Sequence, residues 1–389
     1  MKKFVLANGI LIDKVNNLCY EKKDILVENG RIVEISDDID KSGLEVYDAC
    51  GSFVSAGIID VHVHNRLRGG RQQQTGQLEV GLDSIDEIGV YRGATTVIEC
   101  GSVTVNDIAE FVEQSDKAKT RYYGLLSGHG EDGFGRNGSQ NIDEIIPEHY
   151  LKAVNDYPGY IKGLKVACSS SITNDKGYML VKHAKEIASK LDMPLTIHVG
   201  HFPPDPCGLV ELLDKGDVVT HTYHGKEISL FKEDGTPKES FVRARKRGVL
   251  FDVGHGSASF DYTVYDKARR KGFLPDICST DIRAINVDGP VYSIETVMSK
   301  LLNLGLALED VVQANTYNAA QAYHLDGLGQ LKVGSLADFT IFDVLDCDIE
   351  IQDCYHNYQP IHKLIVAKDV IVSKQEDSIV YKVKEGLIK

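Results

Sequence analysis

The sequence predicts an α/β fold: a (β/α)8 TIM-type barrel with a small composite β-sandwich built from the N- and C-terminal segments. Three observations lead there. Strand-like apolar runs alternate with helical stretches from about residue 57 to residue 325, the texture of β/α units around a parallel sheet. The strand-like runs number eight, the count at which such a sheet closes. Short β segments with turn signals flank this region on both sides, and a chain of 389 residues exceeds the roughly 250–300 residues that one core usually serves. The expected units are therefore 1–55 and 328–389 for the sandwich and 56–327 for the barrel.

In chain order, Phe4-Val5-Leu6 opens the first sheet, and Asp24-Ile25-Leu26-Val27-Glu28 and Arg31-Ile32-Val33-Glu34-Ile35 flank an Asn29-Gly30 hairpin turn. Barrel strands are expected at 58–61, 95–99, 121–126, 163–166, 195–199, 218–221, 249–253 and 277–280. Helices are expected at 178–191, where Leu180, Ala184, Ile187 and Leu191 share a face, and at 291–304. The Gly-, Asp-, Ser- and Asn-rich stretch 128–141 reads as a long loop on the C-terminal face of the barrel, where active sites are built. Strands return at 331–333, 338–342 and 362–366.

Composition narrows the function classes. With 42% hydrophobic and 26% charged residues the chain is an ordinary globular protein, and a net charge of −14 opposes nucleic-acid and anionic-membrane partners. The N-terminal apolar stretch ends at Asn8-Gly9, too short for a secretory signal, and no run is long enough to span a membrane. Eight scattered cysteines without paired spacing fit reduced thiols in the cytoplasm. A small-molecule substrate and a homo-oligomer are expected.

Chemistry concentrates at strand ends. His62-Val63-His64 closes the apolar run Ala56-Gly57-Ile58-Ile59-Asp60-Val61, and residues two apart on a strand point to one face. Lys165, His198, His221 and Asp281 each sit in or at the end of a later strand, so a barrel brings all of them to one mouth. Imidazoles and a carboxylate suit zinc or another divalent first-row ion. An ammonium beside such ions is repelled. Lys165 is therefore either a cation for an anionic substrate or a carbamate, formed on carbon dioxide, whose oxygens bridge two metals about 3.5–4 Å apart. Lys162 lies at an odd offset and faces away.

These pieces, Gly57 through His64, Gly163-Leu164-Lys165, Thr196-Ile197-His198-Val199-Gly200, Val219-Thr220-His221 and Ser279-Thr280-Asp281, resemble the amidohydrolase superfamily of barrel metallohydrolases. The tail from Gly329 to Thr340 resembles the return to that family's composite sandwich, so the likeness covers nearly the whole chain. Asp252-Val253-Gly254-His255-Gly256 and the segment from Asp288 to Tyr292 are most similar to its dihydroorotase-like, or amidohydrolase/deacetylase, branch. The resemblance implies His62 and His64 on a buried metal, His198 and His221 on a more exposed one, carbamylated Lys165 bridging, and Asp281 as metal ligand and proton carrier. Cys100, ending strand two, is the alternative bridge, as in the similar D-aminoacylases.

Arg66, Arg68, Arg71 and Arg283 are candidates to hold a substrate carboxylate. Tyr223, His224 and above all His255 are candidates to polarise a carbonyl or anchor substrate, with His201 and Glu99 near them. Arg66 matches the position of a substrate-binding arginine in dihydroorotases, but their following Pro-Gly and the His-Ala-Pro after the last aspartate are absent here. The expectation is a binuclear metal hydrolase in which a metal-bridging hydroxide cleaves an amide or ester acyl bond of an N-acyl amino acid or acylated hydroxy acid. Cyclic-amide hydrolysis of the dihydroorotase or hydantoinase kind is the alternative, and a non-catalytic binding barrel the third.

Overall fold

The computed structural model describes residues 1–65, 82, 84–130, 133, 142, 145–173 and 175–384. Arg66, Arg68, Arg71 and most of the loop expected at 128–141 lie outside them.

Five strands begin the chain: β1 (Lys3–Asp13), β2 (Leu18–Glu28), β3 (Arg31–Ser36), β4 (Glu45–Asp48) and β5 (Phe53–Ala56). Seven more follow: β6 (Ile58–Val63), β7 (Ala94–Val103), β8 (Arg121–Ser127), β9 (Ile161–Cys168), β10 (Leu195–Val199), β11 (Val218–Thr220) and β12 (Leu250–Phe251). The chain closes with β13 (Phe339–Gln352), β14 (Tyr358–Lys374) and β15 (Asp377–Lys382). The terminal strands form one mixed sheet in the order β15-β14-β13-β5-β1-β2-β3, with β4 beside β1. Strands from both ends of the chain meet where β13 runs antiparallel to β5.

The seven middle strands form a curled parallel sheet in sequence order, from β6 at one edge to β12 at the other. Residues 58–63 are all buried, as are most of those in β9, the signature of a parallel sheet covered on both faces. The expected strand at 277–280 is not a regular strand. Two parallel bridges, Asp252 to Ile277 and Val63 to Ile282, instead join this segment to both edges of the sheet. The backbone amides of Val253, His255 and Gly256 donate to the carbonyls of Ile277, Ser279 and Thr280, and two buried carboxylates add side-chain bonds. Asp252 accepts hydrogen bonds from the Ser279 amide at 2.9 Å and hydroxyl at 2.6 Å. Asp60 accepts from the Thr280 amide at 3.1 Å and from its hydroxyl. Side-chain bonds thus supplement the backbone pairing that joins this segment to both edges of the sheet, although no regular strand forms.

The expected helix at 178–191 is observed as Gly177–Leu191, with Leu180, Ala184 and Ile187 buried. The one expected at 291–304 is observed as Ile294–Asn303. Its Glu295 carboxylate accepts from the Ala367 amide of β14 at 2.6 Å, and its fully buried Lys300 donates to the Gln352 carbonyl at 2.8 Å, tying the two sheets together. Arg121 of β8 donates to Asp338 at 2.6 Å at the opposite end of the curled sheet. The strand expected at 331–333 is a loop: Leu331 is buried and its amide donates to the Asp13 carboxylate at 2.6 Å, outside any ladder.

Candidate metal centre

The C-terminal ends of the middle strands enclose a cavity of about 130 Å³ lined by His62, His64, Cys100, Lys165, His198, His221 and Asp281, among others. Six of these are the residues singled out as ligands from the sequence. The ring centroids of His198 and His221 are 4.2 Å apart, and those of His62 and His221 5.1 Å. His64 Nε2 lies 3.2 Å from Asp281 Oδ1, and His62 Nε2 lies 3.6 Å from the same oxygen. Donor atoms of His62, His221 and Asp281 all fall within 4.8 Å of one another.

The imidazoles are oriented from behind. Thr220 Oγ1 donates to Asp252 Oδ2 at 2.6 Å and so accepts from His62 Nδ1 at 3.1 Å, leaving the His62 Nε2 lone pair facing the cavity. His221 Nδ1 donates to the Gly254 carbonyl at 2.6 Å, which fixes the same tautomer. His64 Nδ1 engages Ser102 Oγ at 2.9 Å. Burial, and then the neighbouring Lys165, hold His62 well below its ordinary value, while burial pushes His221 down to about 3. Neutral imidazoles with inward Nε2 atoms beside a carboxylate are a borderline N/O donor set, and they fit a divalent transition ion.

Two of these residues carry strain. His221 (φ 67°) and Asp281 (φ 48°) hold left-handed backbone, a conformation that costs a non-glycine residue about 1–3 kcal/mol and collects at functional sites. Gly256 (φ 54°) passes so near that an added Cβ would meet Asp281 Oδ2 at 2.3 Å.

Lys165 is 3% exposed, with Nζ 3.1 Å from Cys100 Sγ and 3.4 Å from His62 Nε2. It has no ion-pair partner among the described residues. Arg283 lines the same cavity. Glu99 sits behind His64, its carboxylate accepting from the Asn65 amide at 2.9 Å. His201 pairs with Glu227 at 2.9 Å and is exposed.

Three substrate candidates are elsewhere. Tyr223 would share a face with His221 if β11 continued, but the strand ends at Thr220 and the left-handed turn at His221 swings the chain into the core. There Tyr223 stacks on Phe231, and its hydroxyl donates to the Phe273 carbonyl at 3.1 Å. His255 is fully buried behind the cavity wall, its Nε2 accepting from Lys300 Nζ at 2.8 Å. His224 is likewise fully buried, its Nδ1 accepting from the Lys226 amide at 3.2 Å.

Sequence reasoning missed Lys226, Ser257 and Ser259, which line the cavity from loops after β11 and β12. No periodicity marks loop residues. It also missed Asp60, Thr220 and Asp252 as supports. Asp60 could have been found, since it lies two residues before His62 on the same strand face.

Residues 263–387 match the amidohydrolase family. The chain is 32% identical over 325 residues to a deacetylase of Enterococcus faecalis, covering 82% of this chain and 86% of that one. Among solved structures, an adenine deaminase superposes with a TM-score of 0.87 at 29% identity, covering 98% of this chain and 100% of that chain. A dihydroorotase superposes with a TM-score of 0.85 at 29% identity, covering 98% of each. The chain belongs to the amidohydrolase superfamily. It is a hydrolase acting on C–N bonds, of a metal-dependent family, with a possible metal site at His62, His221 and Asp281. Among the described residues no helix is long and apolar enough to cross a membrane.

Proposed function

We propose that the protein is a binuclear metal-dependent hydrolase that cleaves the amide or ester acyl bond of a small carboxylate-bearing substrate, an N-acyl amino acid or an acylated hydroxy acid. The observation that carries this reading is the meeting of His62, His64, Lys165, His198, His221 and Asp281 on one cavity. Similarity to a curated deacetylase supports the acyl substrate. In this reading segment 276–282 takes the eighth position of a TIM-type barrel, and the terminal strands form its composite sandwich, with units 1–55, 56–327 and 328–389. Eight free cysteines fit the cytoplasm, and the working form is a homo-oligomer.

His62 and His64 would hold one divalent ion, zinc foremost, and His198 and His221 the other, with Asp281 on a metal. The ions would polarise the acyl carbonyl and make water nucleophilic near neutral pH. Lys165 would bridge them as a carbamate: its neutral amine adds to carbon dioxide, forming an N–C bond and releasing a proton. That Lys165 makes no ion pair among the described residues supports this. Cys100 is the adjacent alternative, but burial pushes its thiol up to about 12 against the opposing influence of Lys165, which favours the lysine. Asp281 takes the proton of the attacking water and returns it to the leaving nitrogen or oxygen.

Cyclic-amide hydrolysis is the second reading, favoured by the likeness to a dihydroorotase. A metal assay and a substrate screen decide. Two equivalents of divalent metal per chain, with turnover of N-acetyl amino acids or acetylated hydroxy acids, are expected. Turnover confined to dihydroorotate, hydantoins or adenine would replace this reading. A metal-free protein inert to all of them would point to a binding barrel.

A further inference from the structure

Lys226 lines the cavity beside the ligand cluster. Its ammonium has three donors. Among the described residues one is engaged, to Ser259 Oγ, at a long 3.4 Å. Among the described residues it makes no ion pair. Arg283 stands on the same cavity, and Asp281, the one carboxylate among its described lining residues, lies 3.2 Å from His64 Nε2 and makes no ion pair with Lys226. A partly buried cation loses hydration, and for Lys226 this burial outweighs the attraction of Asp281 and Glu227 and pushes its pKa down. Such a group is stabilised when an anion enters.

The placement suits that task. Lys226 follows β11, Ser257 and Ser259 follow β12, and Arg283 follows segment 276–282, so three neighbouring loops present cations and hydroxyls to one space. That space, about 130 Å³, is comparable with the ~150 Å³ cavity that admits a benzene-sized molecule. It fits a small acid with one anionic group.

We propose that Lys226, with Ser259 beside it, binds the carboxylate of the substrate and sets the preference of the enzyme for acids. This rests on the reading of a carboxylate-bearing substrate given above. It moves the anchor from the arginines marked in the sequence to a loop lysine.

The test compares an N-acetyl amino acid with its methyl ester on the metal-loaded enzyme, the K226M, K226R, S259A and R283M variants, and adds calorimetric titration with the free acid product. The unmodified enzyme should prefer the acid. K226M should raise the acid's KM roughly ten- to a hundred-fold, as loss of a charge-assisted hydrogen bond does, leaving kcat and the ester's KM within about three-fold. Product binding should weaken in parallel, and K226R should recover part of both. Should K226M fail to fold, S259A carries the test, with a several-fold rise in KM for the acid alone. An acid preference that survives K226M, or S259A in its place, and disappears in R283M overturns the assignment while leaving the substrate reading intact. Equal turnover of acid and ester by the unmodified enzyme overturns both.

Discussion

Thr220→Val should weaken metal binding although Thr220 touches no metal site directly. The substitution keeps shape and removes one hydroxyl, which stands between two buried groups: it accepts from His62 Nδ1 at 3.1 Å and donates to Asp252 Oδ2 at 2.6 Å. Asp252 keeps the Ser279 amide and hydroxyl, so the main loss falls on His62. That ring is 2% exposed, and its Nδ1 proton is left without an acceptor, at a cost of about 1–3 kcal/mol. Removing the group that orients a ligating histidine costs about ten- to a hundred-fold in metal affinity, or about 1.4–2.8 kcal/mol, in line with that penalty. A chelator-competition titration should show this weakening, and Thr220→Ser should restore most of it. Thr222→Val is the control, because Thr222 Oγ1 donates only to the Val219 carbonyl at 3.2 Å. A Thr220→Val protein that binds metal within two-fold of the unmodified chain would refute the claim that this hydroxyl sets the His62 tautomer.

Lys165→Ala should lose its activity and the second metal equivalent, with partial recovery in a short carboxylic acid; two metals and full turnover would transfer the bridge to Cys100. Asp281→Asn should keep most of its metal while kcat falls about 10²- to 10⁴-fold, and a near-normal kcat would show that another group moves the proton. Lys300 gives a pH signature of stability. Burial pushes it down to about 7 in the folded chain, so between about pH 7 and 10.5 the unfolded chain binds the extra proton and stability rises with pH. Glu295, pushed up to about 8 by burial, acts oppositely, since between about pH 4.5 and 8 the folded chain holds a proton that the unfolded one releases. Urea midpoints at pH 8, 9 and 10 should therefore separate Lys300→Met from the unmodified chain by up to about 1.4 kcal/mol per pH unit, and parallel profiles would refute the shift.

The strand ends were legible because a parallel sheet writes them as apolar runs ending in polar residues, and one geometric rule then gathers residues 62, 64, 165, 198, 221 and 281. What the pattern could not reveal was direction after a strand stops. His255 and Tyr223 follow β12 and β11 by a few residues, yet one backs onto Lys300 and the other enters the aromatic core, because backbone turns there break the two-residue period. The outer half of β13 escaped detection for a different reason. Residues 346–350 alternate exposed and half-exposed positions without a buried face, so pairing with β14, not burial, makes them a strand. Lys226 had no signal at all, since its meaning depends on which loops meet.

The join made by Asp60 and Asp252 bears on how the molecule assembles. The Asp60–Thr280 contact spans 220 residues of chain, the kind of closure whose entropy must be met before any contact there is rewarded. That separation predicts that segment 276–282 docks late, after β6 to β12 have formed the surface that receives it. Opening this join breaks the two carboxylate contacts together with the backbone bonds that Val253, His255, Gly256 and His64 make to the segment. Amide exchange at Ser279 and Thr280, whose protons rest on side-chain oxygens, then reports this local opening.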